Sequence, residues 1–227
     1  MKKLLLLVLL LASINAFSQT LAFWCVEIKA KPRTEKYIEA AFEKAFKEVK
    51  YNKANFRIQK ISTGPNNGMT HRIIWHYTLG TEPVDTNSIN IDRDEAFWAK
   101  MFDYVETWGH SYSGRFLSWK SSEKKDSIYH IWDFKIKDQA KFKNAHDLAL
   151  KDLKEEFAGR AVGFGTYDIG RPNGATHWIG VSCINDNDHL LLIEKLEKNP
   201  RFIKYLQDRG EVEDVKDYMI EDFKVKN

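Results

Sequence analysis

One five-residue pattern occurs twice in this chain. Asn67-Gly68-Met69-Thr70-His71 returns as Asn173-Gly174-Ala175-Thr176-His177, and 177 − 71 gives an offset of 106 residues. In a chain of 227 residues that offset leaves room for two copies of one unit. Other features keep the spacing. Ile131 stands at Cys25 plus 106 and Asp133 at Glu27 plus 106. Ala145, Ala149 and Leu153 match Ala41, Ala45 and Val49 at an offset of 104. A chance echo of a common turn does not explain a helix stripe and an acidic strand residue as well. We therefore read a duplication, with a first copy over residues 19–126 and a second over 127–227.

Each copy has the same order of elements. In the first, Leu21 to Lys29 alternates and is rich in strand formers. Thr34 is an expected N-cap for a helix whose apolar stripe runs Ile38, Ala41, Phe42, Ala45, Phe46 and Val49. Phe56 to Ser62 and Thr70 to Leu79 read as two strands joined by a hairpin at Gly64-Pro65-Asn66-Asn67-Gly68, since Asn-Gly readily takes positive φ. Asp92 or Asp94 is expected to cap a second helix with Phe97, Met101, Tyr104 and Val105 on its inner side. Arg115 to Lys120 reads as a short last strand, and Ser121 to Asp126 as the linker. The second copy repeats this with strands at Ile128–Ile136, Ala161–Asp168 and Ala175–Ile184, and a cap at Asp138. Helical stretches follow at His189–Glu197 and from Pro200 to Leu206, with a closing strand at Tyr218–Val225.

The first residues stand apart from both copies. Met1-Lys2-Lys3 precedes an apolar run, Leu4 to Ala12, that is too short to span a bilayer. Ala16-Phe17-Ser18 offers small residues where a signal peptidase reads. The expectation is a secretory signal peptide, residues 1–18, removed after Ser18, and a secreted or periplasmic protein. The charge balance is 35 Lys+Arg against 32 Asp+Glu, a net of +3; removing Lys2 and Lys3 leaves 33 − 32 = +1. Such a balance gives no case for nucleic acid or an anionic membrane, and no stable membrane insertion is expected. The two cysteines, Cys25 and Cys183, fall at non-equivalent positions. A bridge is possible in an oxidising compartment, but two separate buried thiols are the reading we favour.

The order β-α-β-β-α-β is the split βαβ, or ferredoxin-like, motif, which leaves one face of its sheet uncovered. The expected fold class is α+β: two tandem ferredoxin-like repeats packed sheet to sheet as a pseudo-dimeric α+β barrel. In this order and duplication the mature chain resembles a tandem, fused member of the dimeric α+β-barrel superfamily. That superfamily includes antibiotic-biosynthesis monooxygenase-like, EthD-like and NIPSNAP-like proteins, and the haem-binding chlorite dismutase and dye-decolourising peroxidase groups. The resemblance matches no catalytic motif and assigns no residue a role. It implies a ligand between the sheet face and the surrounding helices and loops, in a cleft or in the barrel interior.

Several residues are candidates to line such a site. Glu27 and Asp133 are carboxylates in the middle of core strands, costly there unless paired or hydrated. They are either a polar floor with a possible general base or simply paired with a nearby Lys or Arg. His71 and His177 open the third strands. They could meet a ligand, although tying down the hairpin with Thr70 and Thr176 is the reading we favour. His76 lies within its strand on the side of Ile74 and Thr78, and its equivalent is Ser182. His130 corresponds to Trp24. Gly163, Gly165 and Gly180 leave space that a ligand, Trp132 or Trp178 could fill. No histidine or cysteine spacing suggests a metal, and no cofactor is expected. The leading expectation is a pocket for a small apolar or aromatic ligand, in a monomeric pseudo-dimer or a further homo-oligomer. The alternatives are a cofactor-free monooxygenase or isomerase using Glu27, Asp133, His71 or His76 as base, and a haem-binding protein.

Overall fold

The computed structural model describes residues 20–64, 67–122 and 128–223. The expected signal peptide, Pro65 and Asn66 of the first hairpin, most of the linker and Val225 lie outside these residues. Eight strands form one closed barrel: β1 (Leu21–Ala30), β2 (Asn55–Thr63), β3 (His71–Thr78), β4 (Val105–Lys120), β5 (Ile128–Ile136), β6 (Val162–Thr166), β7 (His177–Cys183) and β8 (Val212–Asp222). Among the described residues five α-helices lie outside it: α1 (Glu35–Phe46), α2 (Ile91–Tyr104), α3 (Gln139–Asp152), α4 (Asp186–Glu197) and α5 (Pro200–Asp208). Both halves run β-α-β-β-α-β, with α4 and α5 together filling the last helical place in the second.

The order around the barrel is β1-β3-β2-β8-β5-β7-β6-β4. Each half supplies four consecutive antiparallel strands. The halves then join edge to edge, β2 with β8 through Lys60↔Glu221 and Ile61↔Ile220, and β4 with β6 through Trp119↔Gly163 and Lys120↔Val162. Period-two alternation sorts the side chains. Phe23 and Cys25 of β1 point into the barrel with Ile74, Ile131, Tyr218 and Ile220. Val26 and Ile28 point out, under Ile38 and Phe42 of α1 and Phe97 and Met101 of α2. In the second half Phe142, Ala145 and Ala149 of α3 and Leu192 and Leu196 of α4 cover Phe164 and Val181. Three apolar cores result, one inside the barrel and one beneath each helical layer.

The repeated motif proves to be a clamp made twice. Thr70 Oγ1 accepts from Ala30 N–H at 2.9 Å, and Thr70 N–H donates to Ile28 O at 2.9 Å. Thr176 does the same to Ile136 N–H at 3.1 Å and Phe134 O at 2.8 Å. Every partner shifts by 106. The turns match too: Asn67 and Gly68 have φ of 51° and 81°, Asn173 and Gly174 of 52° and 79°. Gly64 and Gly170 are a further pair. A Cβ at Gly64 would lie 2.6 Å from Asp217 O, and one at Gly170 2.3 Å from Ser111 O, so each hairpin crosses the other half's strand at a glycine.

Some elements differ from expectation. β4 begins at Val105 rather than Arg115, because Val105 to Arg115 pairs along β1 although much of it is polar and exposed. β8 begins at Val212 rather than Tyr218, for the same reason against β5. Asn90, not an aspartate, caps α2, accepting from Arg93 N–H at 3.0 Å. Thr34 precedes α1 but its hydroxyl donates backwards, to Lys31 O and Tyr104 O. Asp138 caps α3 as expected. Cys25 and Cys183 are both buried and are not joined in a disulfide, and Cys25 lies inside the barrel.

Thr176→Val removes the acceptor of the Ile136 N–H. It should lower the unfolding free energy by about 1–2 kcal/mol in urea titration, and Thr70→Val by a similar amount. An unchanged midpoint in either variant would show that the clamp carries no stability.

Candidate functional site

One end of the barrel interior is not filled. A cavity of about 220 Å³ opens there, with two unlike walls. On one, Phe23, Phe116, Trp119 and Trp178 meet edge to face, with Phe116 and Trp178 ring centres 4.8 Å apart and Phe23 and Trp178 5.8 Å apart. Glycines make this wall possible. A Cβ at Gly165 would sit 2.5 Å from the Trp178 ring and one at Gly163 2.9 Å from Trp119, so the indoles lie flat on bare backbone. Trp132 does not share this space; it packs in the outer core under the second helical layer.

The other wall is cationic and comes from β2 and β3. Arg57, Arg72 and His76 line it. Arg72 is buried; its Nε donates to Gln59 Oε1 and its Nη1 to Tyr218 OH at 3.2 Å. Arg57 donates to Asp222, which also accepts from Gln59 Nε2. His76 Nδ1 lies 2.9 Å from Asn55 Oδ1. The amide oxygen can only accept, so Nδ1 carries the proton and Nε2 presents a lone pair. Burial, reinforced by Arg57 and Arg72, pushes the His76 pKa down to about 3, so the ring is neutral at physiological pH.

Behind this cavity lies a buried charge cluster. Lys216 Nζ is 3.1 Å from Glu27 Oε1 and 3.7 Å from Asp133 Oδ2, the second an ion-pair distance but too long for a hydrogen bond. Tyr167 OH donates to Asp133 Oδ1 at 2.6 Å, and Tyr112 OH reaches Glu27 at 3.4 Å. One lysine thus serves the two equivalent carboxylates of the two halves. Burial raises the Asp133 carboxyl to about 6, against the opposing pull of Lys216, the Tyr167 hydroxyl and Arg72. Loss of hydration outweighs the partners because Asp133 is fully enclosed.

The candidates from sequence therefore separate. His76 lines the cavity. Glu27 and Asp133 face the same interior and are brought together by Lys216, but Tyr112, Tyr167 and Arg72 stand at the cavity surface and they do not. Trp24, His71, His130 and His177 point to the helical side. His71 bonds Thr70 Oγ1 at 2.8 Å and stacks on Phe223; His177 bonds Thr176 Oγ1 at 2.8 Å and stacks on Phe164. Burial pushes both pKa values down to about 4.

His130 sits in a chain of its own. Its Nε2 is 3.0 Å from Asp217 Oδ1, and its Nδ1 is 2.7 Å from His189 Nε2. The carboxylate accepts from Nε2, so neutral His130 accepts at Nδ1 from His189 Nε2–H. His189 belongs to the wall of a second cavity, about 280 Å³ and almost wholly apolar, between β5 to β7 and helices α3, α4 and α5. His146 of α3 also lines it; neither of its ring nitrogens has a hydrogen-bond partner, and Nδ1 lies 3.5 Å from the Asp147 carboxylate. A haem iron needs a neutral imidazole beside apolar space. His146 has that chemistry. Among the described residues no group of three or more His, Cys, Asp or Glu could hold a metal ion, and no helix is long and apolar enough to cross a membrane.

Arg72, Lys216, Gln59 and the tyrosines were not singled out from sequence. Tyr112 and Tyr218 stand 106 apart, a signal that was there to be read. Arg72 stands opposite Trp178 at the same offset, so the repeat hides it.

No family model matches the chain, and no curated protein matches it in sequence. Its fold does recur among solved structures. A protein from Lactobacillus acidophilus NCFM, provisionally named a monooxygenase, superposes with a TM-score of 0.59 at 10% identity, over 90% of this chain and 94% of that one. A second protein so named, from Fusobacterium nucleatum, gives 0.58 at 13% identity, over 92% and 94%. A chlorite dismutase from Candidatus Nitrospira defluvii gives 0.53 at 6% identity, over 92% and 93%. The barrel of two ferredoxin-like halves therefore recurs in these proteins, and the likeness in element order extends to three dimensions. At such identities it shows the fold alone.

The Asp133 carboxyl gives a pH signature of defined sign. Its folded pKa, about 6, exceeds its ordinary value of 3.8, so the fold favours the protonated form. Its contribution is complete below pH 4 and is lost as pH rises through 6. The buried histidines, shifted down, act oppositely over the same range. The difference in unfolding free energy between wild type and Asp133→Asn should therefore move against wild type between pH 4 and pH 7, by on the order of 2–3 kcal/mol. A difference that stays flat would place the Asp133 pKa near its ordinary value.

Proposed function

We propose, taking the shared barrel fold as premise, that the interior cavity binds a small aromatic ligand in a secreted or periplasmic protein. One observation carries this reading. Protein interiors are close-packed, yet here a void remains beside four aromatic rings. Flat rings on one wall and fixed polar groups on the other are what orients a small molecule in a pocket. 2-Naphthol titrated into the protein should quench tryptophan emission and raise the melting temperature. Ile74→Trp, which fills the void from β3, should weaken that binding at least tenfold. A wild-type protein that neither quenches nor stabilises would overturn the reading.

Catalysis is a second reading, supported by His76. Its Nε2 has no protein partner among the described residues, and it is the one candidate base at the cavity surface. Its neutral ring would accept the hydrogen bond of a bound phenol. With its pKa held near 3, transfer of that proton needs the phenolate so formed to be stabilised by the neighbouring Arg57 and Arg72, the step that would open cofactor-free oxidation. Oxygen uptake in the presence of the same phenol, abolished in His76→Gln without loss of binding, separates an enzyme from a carrier. A haem reading rests on His146, which would hold the iron in the outer cavity while the group itself supplied redox chemistry. Added haem should then give a Soret band that His146→Ala removes; a spectrum equal to that of free haem ends this reading.

A further inference from the structure

We infer that the ligand of the interior cavity is an anion, a planar aromatic acid whose carboxylate is received by Arg72. This rests on the reading of that cavity as a binding site, and goes further by naming the chemistry of the ligand.

Arg72 is a buried guanidinium with no carboxylate within ion-pair distance among the described residues. Its protein partners, Gln59 Oε1 and Tyr218 OH, are both neutral, and the nearby Tyr218 ring adds only a weak cation–π contact at 5.9 Å. They occupy Nε and Nη1. Among the described residues Nη2 has no hydrogen-bond partner, on a side chain that lines the cavity. A buried charge is costly unless it is paired, and a guanidinium presents a planar fork that fits a carboxylate.

Asp133 feels the charge of Arg72, but no neighbouring carboxylate among the described residues pairs with it directly. Arg57 is matched by Asp222. Glu27 and Asp133 are engaged with Lys216. Asp133 is held up near 6, so in mildly acidic surroundings it takes a proton and leaves this layer one positive charge in excess. Among the described residues the cavity wall itself carries Lys53, Arg57 and Arg72 and no aspartate or glutamate.

Shape agrees with charge. Position 72 of the first half corresponds to position 178 of the second, since 178 − 72 = 106. The duplicated barrel therefore sets a guanidinium on one side of the void and the Trp178 indole on the other. A ring stacked among Trp178, Phe116 and Phe23 would direct a carboxylate substituent toward Arg72. A hydroxyl on that ring would find the lone pair of His76 Nε2.

The test compares two molecules of one shape, 2-naphthoate and 2-naphthamide, by titration calorimetry near neutral pH and low ionic strength. Wild type should bind naphthoate at least tenfold more tightly than naphthamide. Arg72→Met should erase that preference by weakening naphthoate binding at least tenfold more than it weakens naphthamide binding. Arg72→Lys, which keeps the charge in the cluster and loses the fork, should retain part of the preference and serves if the methionine variant does not fold. Equal affinity of wild type for the two probes overturns the anion inference while leaving the cavity reading intact. Preference for naphthoate undiminished in both Arg72 variants places the anion elsewhere and overturns it as well. If neither probe nor 2-naphthol binds, the cavity reading falls and this inference with it.

Discussion

Two strand pairings that cross between the halves, β2 with β8 and β4 with β6, hold this structure in its form. Each ferredoxin-like half has an open sheet, with two unpaired edges and one bare face. Pairing the edges satisfies their backbone groups and bends the two sheets into a single wall. The bare faces then become the inside of a barrel. The crossing glycines, Gly64 and Gly170, let the hairpins pass close over the opposite strands so that these pairings can form. The interior core and the cavity within it exist only because the ring is closed.

That interior is unusual in what it encloses. Beside Phe23, Cys25, Ile74, Ile131 and Ile220 it holds Glu27, Arg72, Asp133, Lys216 and three tyrosines. Buried ion pairs add little net stability, since dehydration of each ion offsets most of the attraction. Their consequence is specificity. Lys216 of the second half reaches Glu27 of the first, and Arg72 of the first reaches Tyr218 of the second. The polar layer therefore ties the two halves in one register, and it supplies the cavity with a rigid back wall.

Much of the architecture was open to reading from the chain. The repeat of Thr70-His71 at Thr176-His177 fixed the duplication, and the structure shows why those residues recur, as a clamp between strand and hairpin. The offset of 106 paired Glu27 with Asp133 in mid-strand, and both face the interior. Trp24 and His130, candidates beside them, lie on the helical side, because alternation sorts residues into two faces without saying which one is enclosed. Other features escaped for physical reasons. The first half of β4 is polar because only one of its edges is paired and much of it meets water, so its sequence looks like a loop. The cavity escaped because strand periodicity tells which face a residue takes and not how full the space in front of it is. His189 escaped because it joins His130 across a helix–sheet contact that no spacing encodes.

The opposition of Arg72 and Trp178 has an evolutionary side. In a barrel assembled from two identical chains, any substitution appears twice, on both sides of the axis. A guanidinium at position 72 would then confront its own copy across the void, and like charges would repel there more strongly than on an exposed surface. Joining the copies in one polypeptide lifts that restriction. Each side of the chamber can diverge alone, so the enclosed space gains a head and a tail.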